Sequence, residues 1–226
     1  MTAPQVVGVA GKCCAGKDMV TSWLLEHGWR EINVDRVGHE ALAAEHARIV
    51  ATFGREIVDE RGTIDRRKLG KIVFADRDQL HRLERIVHPW MREAVRREIE
   101  AWRGSSGGEA ERSSDERSSG GEGERSSDER SSGGARGLVI NAALLFYMEL
   151  DSLCDAVLLV RAPLWQRFQR ARRRDDLSLR QIVHRLWTQR RLDTQALASP
   201  AETITVENGR TPQALYERLS ELPQLQ

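Results

Sequence analysis

Near the start of the chain a short apolar, β-branched run, QVVGVA over residues 5–10, gives way to Gly11-Lys12-Cys13-Cys14-Ala15-Gly16-Lys17-Asp18. Two glycines with four residues between them, followed by lysine, are what a loop needs to hold a phosphate. The glycines permit backbone angles that turn N–H groups inward onto phosphate oxygens. A helix starting directly after the loop adds its partial positive charge. Lys17 supplies a cation for the β- and γ-phosphates of a nucleotide. The hydroxyl residue that usually follows, and that faces Mg²⁺, is replaced by Asp18. A carboxylate can also face Mg²⁺, directly or through water, although it repels the phosphates. Cys13 and Cys14 read as two small residues fitted to a tight loop rather than as a redox brake on nucleotide binding, since adjacent cysteines pair only with strain.

Chemistry beyond binding needs a base and more positive charge. Asp35 stands where the second strand-like run, residues 30–34, ends. At the C-terminal end of a parallel strand it would lie on the edge where open α/β sheets bind ligands, placed to accept a proton from a hydroxyl. The same position suits the N-cap of a helix over residues 36–52. His39, one turn later, reads as a partner or surface residue rather than a metal ligand. Further on, RFQRARRRDD, residues 167–176, gathers Arg170, Arg172, Arg173 and Arg174 in little more than one turn. That much like charge is costly without an anionic partner. Arginine also suits bidentate phosphate contact. Arginine outnumbers lysine 31 to 4 over the chain, however, so a compositional bias also bears on the choice of cation.

The elements that must hold these residues follow from spacing. Val20, Trp23, Leu24 and His27 recur at helical intervals after the loop, and Gly28 suits a helix end. Strand, glycine-rich loop, helix and second strand make an α/β unit. Asp65 and Asp76 read as helix N-caps. Leu80, Leu83 and Val87 form one apolar stripe; Met91, Val95, Ile99 and Trp102 form another, with Pro89 in the first turn of that second helix. Both stripes read as core.

The 226 residues suit one large domain or two small ones. Lys and Arg number 35 and Asp and Glu 34, a net +1. That balance argues against an electrostatic nucleic-acid binder or a polybasic membrane protein. No apolar run reaches the length of a membrane span, and no signal peptide is expected before the first strand. Three cysteines cannot make a disulfide framework, which points to a cytoplasmic protein. The segment 103–137 is unlike the rest: it holds 9 of the 18 glycines and only two apolar residues, Ala110 and Ala135. Within it GGEAERSSDERSS is followed at once by GGEGERSSDERSS. A unit with no large apolar residue has no face to bury, so the segment reads as a disordered insertion. Lengthening a loop to this size costs on the order of 1.5–2 kcal/mol in closure entropy. Residues 1–102 and 138–226 are therefore expected to form a single domain.

Several motifs, in order, resemble the dephospho-coenzyme A kinase family. Gly8-Val9-Ala10-Gly11 entering the loop is similar to that family's start. Asn33-Val34-Asp35 with His39 resembles its Asp-x-Asp-x-x-x-His segment. Phe53-Gly54, Gly62-Thr63-Ile64-Asp65-Arg66-Arg67-Lys68-Leu69 and Ile72-Val73-Phe74 resemble its most distinctive stretch. Leu83-Glu84 through His88-Pro89, Leu144-Leu145-Phe146, the strand 155–160 with Arg170 and Arg174, and then Gln189, Ala201-Glu202 and Asn208-Gly209 resemble later elements. Asp18, Ala10, Asn33, Ala143 and Tyr147 depart from the family pattern.

The resemblance implies a P-loop NTPase α/β/α sandwich around a mostly five-stranded parallel sheet. A helical acceptor-binding region would cover about 54–102 and a lid about 163–200. It implies transfer of the γ-phosphate of ATP, with Mg²⁺, to the ribose 3′-hydroxyl of dephospho-coenzyme A. Asp35, Lys17, Arg170 and Arg174 would be catalytic. Gly11, Cys14, Ala15, Gly16, Lys17, Asp18, Met19, Asn208 and Gly209 would bind ATP. Asp35, His39, Arg66 and His88 would bind the acceptor, and Asp18 the metal. Two other readings stand beside it. One is a nucleotide-binding regulatory or scaffold protein on a degenerate kinase fold, using the repeat for interaction. The other is a P-loop kinase with another small-molecule acceptor. A monomer or small homo-oligomer is expected.

Overall fold

The structure, a computed structural model, describes residues 6–112, 135–142, 144–174, 192–209 and 211–225; side chains within 106–112, 173–174 and 192–193 are left aside. Ala143, Gln189 and the repeat over 113–134 lie outside the described residues, and with them the expectation of disorder there.

Five strands form one parallel sheet: β1 (Val6–Gly11), β2 (Trp29–Asn33), β3 (Gly137–Asn141), β4 (Ala156–Arg161) and β5 (Glu202–Glu207). Their order is β2-β3-β1-β4-β5. The register pairs Gly11 with Val160, Val9 with Asn141, and Ile32 with Ile140. All six residues of β1 are buried, as a central parallel strand covered on both faces requires.

Alternation along the strands sends side chains to two cores. Val6, Ala10, Ile32, Leu138, Ile140, Val157 and Leu159 face one layer. It is built from α2 (Val34–Ala44), α3 (His46–Phe53), α4 (Arg66–Ala75) and α5 (Arg77–Arg112). Val7, Val9, Val139, Leu158, Val160 and Val206 face the other. That layer carries α1 (Lys17–Glu26) and α8 (Pro212–Ser220). Between β4 and β5 lie α6 (Leu164–Arg174) and α7 (Leu192–Leu197). The expected three-layer α/β/α sandwich is what forms, and residues on both sides of the repeat build the same sheet.

Three local expectations change. The second strand ends at Asn33, and Asn33 itself caps α2, its side chain accepting from Arg36 N at 3.0 Å. Asp35 is therefore a first-turn helical residue rather than the cap. The single helix expected over 36–52 is two, broken at Glu45. The buried residues explain why: Val37 and Ala41 precede the break, Ile49 and Phe53 follow it. From Val37 to Phe53 a straight helix would turn about 1600°, some 160° past whole turns, so the two ends would face opposite sides and one would leave the core.

The two stripes around Pro89 belong to one continuous helix, α5, with Pro89 inside it. The proline withholds one backbone N–H, from the carbonyl four residues earlier. Packing of Ile86, Val87, Met91 and Val95 on both sides holds the helix through that position. The helix also continues past Trp102 to Arg112, so its backbone enters the low-complexity segment.

Asp65 caps α4 as read, accepting from the backbone N–H groups of Arg67 (2.8 Å) and Lys68 (3.2 Å). Arg30 and Arg36 both reach Glu98, at 3.3 and 3.6 Å, tying β2 and α2 to α5. Ile140 lies wholly buried in the strand between β1 and β2. Ile140→Ala is expected to lower stability by about 2–5 kcal/mol, measured by urea unfolding at equilibrium.

Candidate active site

The loop between β1 and α1 closes tightly. Ala15 N donates to Lys12 O at 3.0 Å. Gly16 is the N-cap of α1 with φ +102°, and Cys14 takes φ +59°. A Cβ on Gly16 would stand 2.0 Å from Asn208 Nδ2, and one on Gly11 2.7 Å from Val160 O. Both positions therefore require glycine, for backbone angle in one case and close approach in both.

What holds the loop comes from the far end of the chain. Arg167, buried to 6 % exposure, donates from Nε to Cys13 O at 3.0 Å. Arg170 Nη1 donates to Cys14 O at 3.5 Å and Ala15 O at 3.4 Å. Asn208 Nδ2 donates to Ala15 O at 2.8 Å. Three successive carbonyls are thus held from one side. In a trans peptide the N–H of the next residue points opposite its carbonyl. The N–H groups of Cys14 and Gly16 are thereby turned to the opposite face, while that of Ala15 is spent on Lys12 O. Lys17, at the first turn of α1, donates from Nζ to Gly11 O at 3.2 Å, across the same loop. The result is an anion cradle at the N-terminus of α1.

Arg170 is further fixed by Gln166 Oε1 (3.3 Å), Asn208 O (3.4 Å) and Asn208 Oδ1 (3.4 Å). Gln166 Nε2 donates to Gly209 O at 2.7 Å. The structure therefore brings Gly11, Cys14, Ala15, Gly16, Lys17, Asn208, Gly209 and Arg170 together, with Asp18 exposed at the second position of α1 and Met19 beside Asn208. The side chain of Arg174 lies outside the described residues. Sequence reasoning missed Arg167 and Gln166. It counted arginine density on α6 but not its face. Arg167 and Arg170, three apart, share the face toward the loop, while Arg172 is exposed.

On the same sheet edge, Asp35 is exposed in the first turn of α2, which follows β2. Two strand spacings, about 10 Å, separate β2 from β1. His39, one turn on, meets Arg66 at 2.6 Å between Nε2 and Nη1. His88 lies in a separate group. It lines an open groove of about 1140 Å³ between α5 and the 147–153 segment, with Glu84, Arg85, Arg92, Tyr147 and Glu149. Tyr147 donates its hydroxyl to Glu84 at 2.7 Å. Its ring stands edge-on to His88, centroids 5.6 Å apart at 87°. The bond to Glu84 pushes the Tyr147 hydroxyl up to about 12. Arg92 pairs with Glu149 and donates to Ser152 Oγ at 3.1 Å. Burial holds the His88 imidazole below its ordinary value, against the opposing charge of Glu84. Among the described residues no group of three or more His, Cys, Asp or Glu could hold a metal ion by itself, and no helix is long and apolar enough to cross a membrane.

The family model for dephospho-CoA kinase matches residues 5–106. A dephospho-CoA kinase of Carboxydothermus hydrogenoformans is 26% identical over 222 residues, 97% of this chain and 93% of the relative. The chain is thus similar to dephospho-CoA kinases, through the family model over its first half and at lower identity along its length. A second relative, a dephospho-CoA kinase of Borreliella burgdorferi, is 29% identical over 160 residues, 70% of this chain; that match spans 63% of the relative's length. A third, from Syntrophus aciditrophicus, is 42% identical over 101 residues, 43% of each chain. Two solved structures share the fold. One, from Thermus thermophilus, has TM-score 0.66 and 24% identity over 97% of this chain and 96% of its own. The other, a dephospho-CoA kinase from Campylobacter jejuni, has TM-score 0.59 and 19% identity, covering 94% and 92%.

Two outcomes follow from this geometry. Asn208→Ala removes a buried donor from Ala15 O. It is expected to cost about 1–2 kcal/mol of stability and to weaken nucleotide binding, read by thermal unfolding and calorimetric titration. His88 contributes a slope to stability below neutrality. Its neutral form is favoured in the fold, so above about pH 6.5 folded and unfolded states carry the same charge there. As pH falls through that value the unfolded chain takes the proton first and stability drops, levelling below the folded value. His88→Gln is expected to flatten that part of the curve in urea unfolding between pH 7.5 and 5 (roughly the range set by an ordinary histidine).

Proposed function

We propose that this protein transfers the γ-phosphoryl group of ATP to the ribose 3′-hydroxyl of dephospho-coenzyme A, giving coenzyme A and ADP. The observation that carries the reading is the phosphate loop with its carbonyls held from behind, on the same sheet edge as Asp35. Similarity to dephospho-CoA kinases supports the acceptor.

Phosphoryl transfer asks the protein for position and charge more than for covalent chemistry. The loop N–H groups and Lys17 bind the β- and γ-phosphates. Asp35 accepts the proton of the attacking hydroxyl. Its exposed first-turn place lets a substrate hydroxyl reach it, and Asn33 keeps that turn of α2 fixed. His39 and Arg66, already in contact, and His88 in the groove bind the acceptor. Arg170 holds the loop carbonyls from behind and so keeps its N–H groups aimed at the phosphates, and Arg174 balances charge on the transferring group. Mg²⁺ would supply positive charge against the charge developing on the phosphates. Asp18 offers it a hard carboxylate oxygen beside Lys17, in the place of the family's hydroxyl. ATP and dephospho-coenzyme A are the partners of this reading, and the cytoplasm its location. No observation favours the regulatory alternative, since Lys17, Asp35 and the glycines are all in place.

Asp35→Asn is expected to lower acceptor-dependent ADP release by roughly 10²–10⁴-fold, the usual worth of a positioned base, with ATP affinity unchanged. A coupled ADP assay beside calorimetric ATP titration checks both. An unchanged rate would remove Asp35 from the base role.

A further inference from the structure

Cys13 and Cys14 are not explained by the phosphate cradle. A tight loop that needs a left-handed residue is normally served by glycine or asparagine, yet Cys14 holds φ +59°. Among the described residues the only other non-glycine with positive φ is Glu149. The two sulfurs lie 3.7 Å apart, and both side chains are half-buried at the loop surface. The third cysteine differs in every respect. Cys154 packs against the sheet core, its thiol donates to Leu150 O at 3.3 Å, and burial beside Asp151 and Asp155 holds it protonated.

We propose that Cys13 and Cys14 form a thiol–disulfide exchange site that takes up anionic low-molecular-weight disulfides, and that a nucleotide in the loop closes it. Lys17 and the N-terminus of α1, which gather phosphate here, also draw an anionic disulfide to the loop. One cysteine, as thiolate, attacks a sulfur of the disulfide RS–SR. A protein–S–SR bond forms, the RS–SR bond breaks, and RS⁻ leaves with the electron pair and takes up the displaced proton. The neighbouring thiol is within reach of the new bond. Closing a ring between adjacent residues is disfavoured, however, because their Cα atoms sit about 3.8 Å apart, below the usual disulfide range of roughly 4.4–6.8 Å. The mixed disulfide therefore accumulates until a small thiol reverses it. The carbonyls of both cysteines are already held by Arg167 and Arg170, which leaves the loop little room to move aside. An adduct on either sulfur and a polyphosphate in the cradle exclude each other. The nucleotide half of this inference rests on the phosphate-loop reading.

The test treats the full-length protein with 5,5′-dithiobis(2-nitrobenzoate). Released thiolate is followed by absorbance, and the modified residue is located by peptide mass spectrometry. The loop peptide is expected to react first and Cys154 last. Cys13→Ser with Cys14→Ser removes the fast phase. ATP at about 100 times its dissociation constant slows that phase roughly 100-fold, following the empty fraction. Equilibrium dialysis then finds ATP binding lost in the modified protein and restored by dithiothreitol. Reaction of Cys154 as fast as the loop overturns the proposal. So does ATP binding to the modified protein at the affinity of the unmodified one, or full ATP occupancy that leaves the rate unchanged. Failure of the unmodified protein to bind ATP is a different result: it overturns the phosphate-loop reading and the nucleotide half together.

Discussion

The structure turns on three consecutive backbone carbonyls. Those of Cys13, Cys14 and Ala15 are held from one side by Arg167, Arg170 and Asn208. A glycine-rich loop is flexible by composition, and flexibility costs entropy when an anion must be bound. Anchoring the carbonyls in advance removes much of that cost and fixes which face the N–H groups present. The anchors come from α6 and from the end of β5, more than 150 residues away in sequence. The loop is therefore a product of the whole sheet. β4 must lie beside β1, and β5 beside β4, before the cradle exists.

The other half of the molecule works on the same edge. The helical layer is bound to the sheet by Ile49, Phe53, Val95 and their neighbours. It sets Asp35 and the His39–Arg66 contact on one side, and the groove of His88 and Tyr147 on another. Its polar ties are surface pairs such as Arg30–Glu98 and Arg36–Glu98, each worth little alone. Packing carries this layer, and charge tunes the places where ligand must fit.

Much of this was legible in the sequence because it rests on local rules. The glycine spacing with its flanking strand and helix marked the loop, and Asp65 marked a cap. The apolar stripes marked core. What was not legible depends on tertiary fit. Nothing near Glu45 signals a break; the reason appears only when Val37 and Phe53 must face one core. Pro89 reads as a first-turn residue by local rule, yet packing on both sides keeps α5 continuous. Asn33 looks like the loss of an acid until it is seen capping α2. Arg167 is one cation among many in the sequence, and only its burial against Cys13 O sets it apart. Tyr147, a departure from the family pattern, donates to Glu84 and joins His88 in the groove.

In the proposed reaction this edge of the sheet phosphorylates one specific ribose hydroxyl. The measurement that meets it most directly is the position of the transferred group. Protein, ATP, Mg²⁺ and dephospho-coenzyme A are incubated, and the product is read by mass and by phosphorus–proton correlation NMR. A single added phosphate coupled to the ribose 3′ proton is the expected result. ATP bound but no phosphate on the acceptor, or a phosphate on any other atom, would contradict the assignment of Asp35 and the groove to this acceptor.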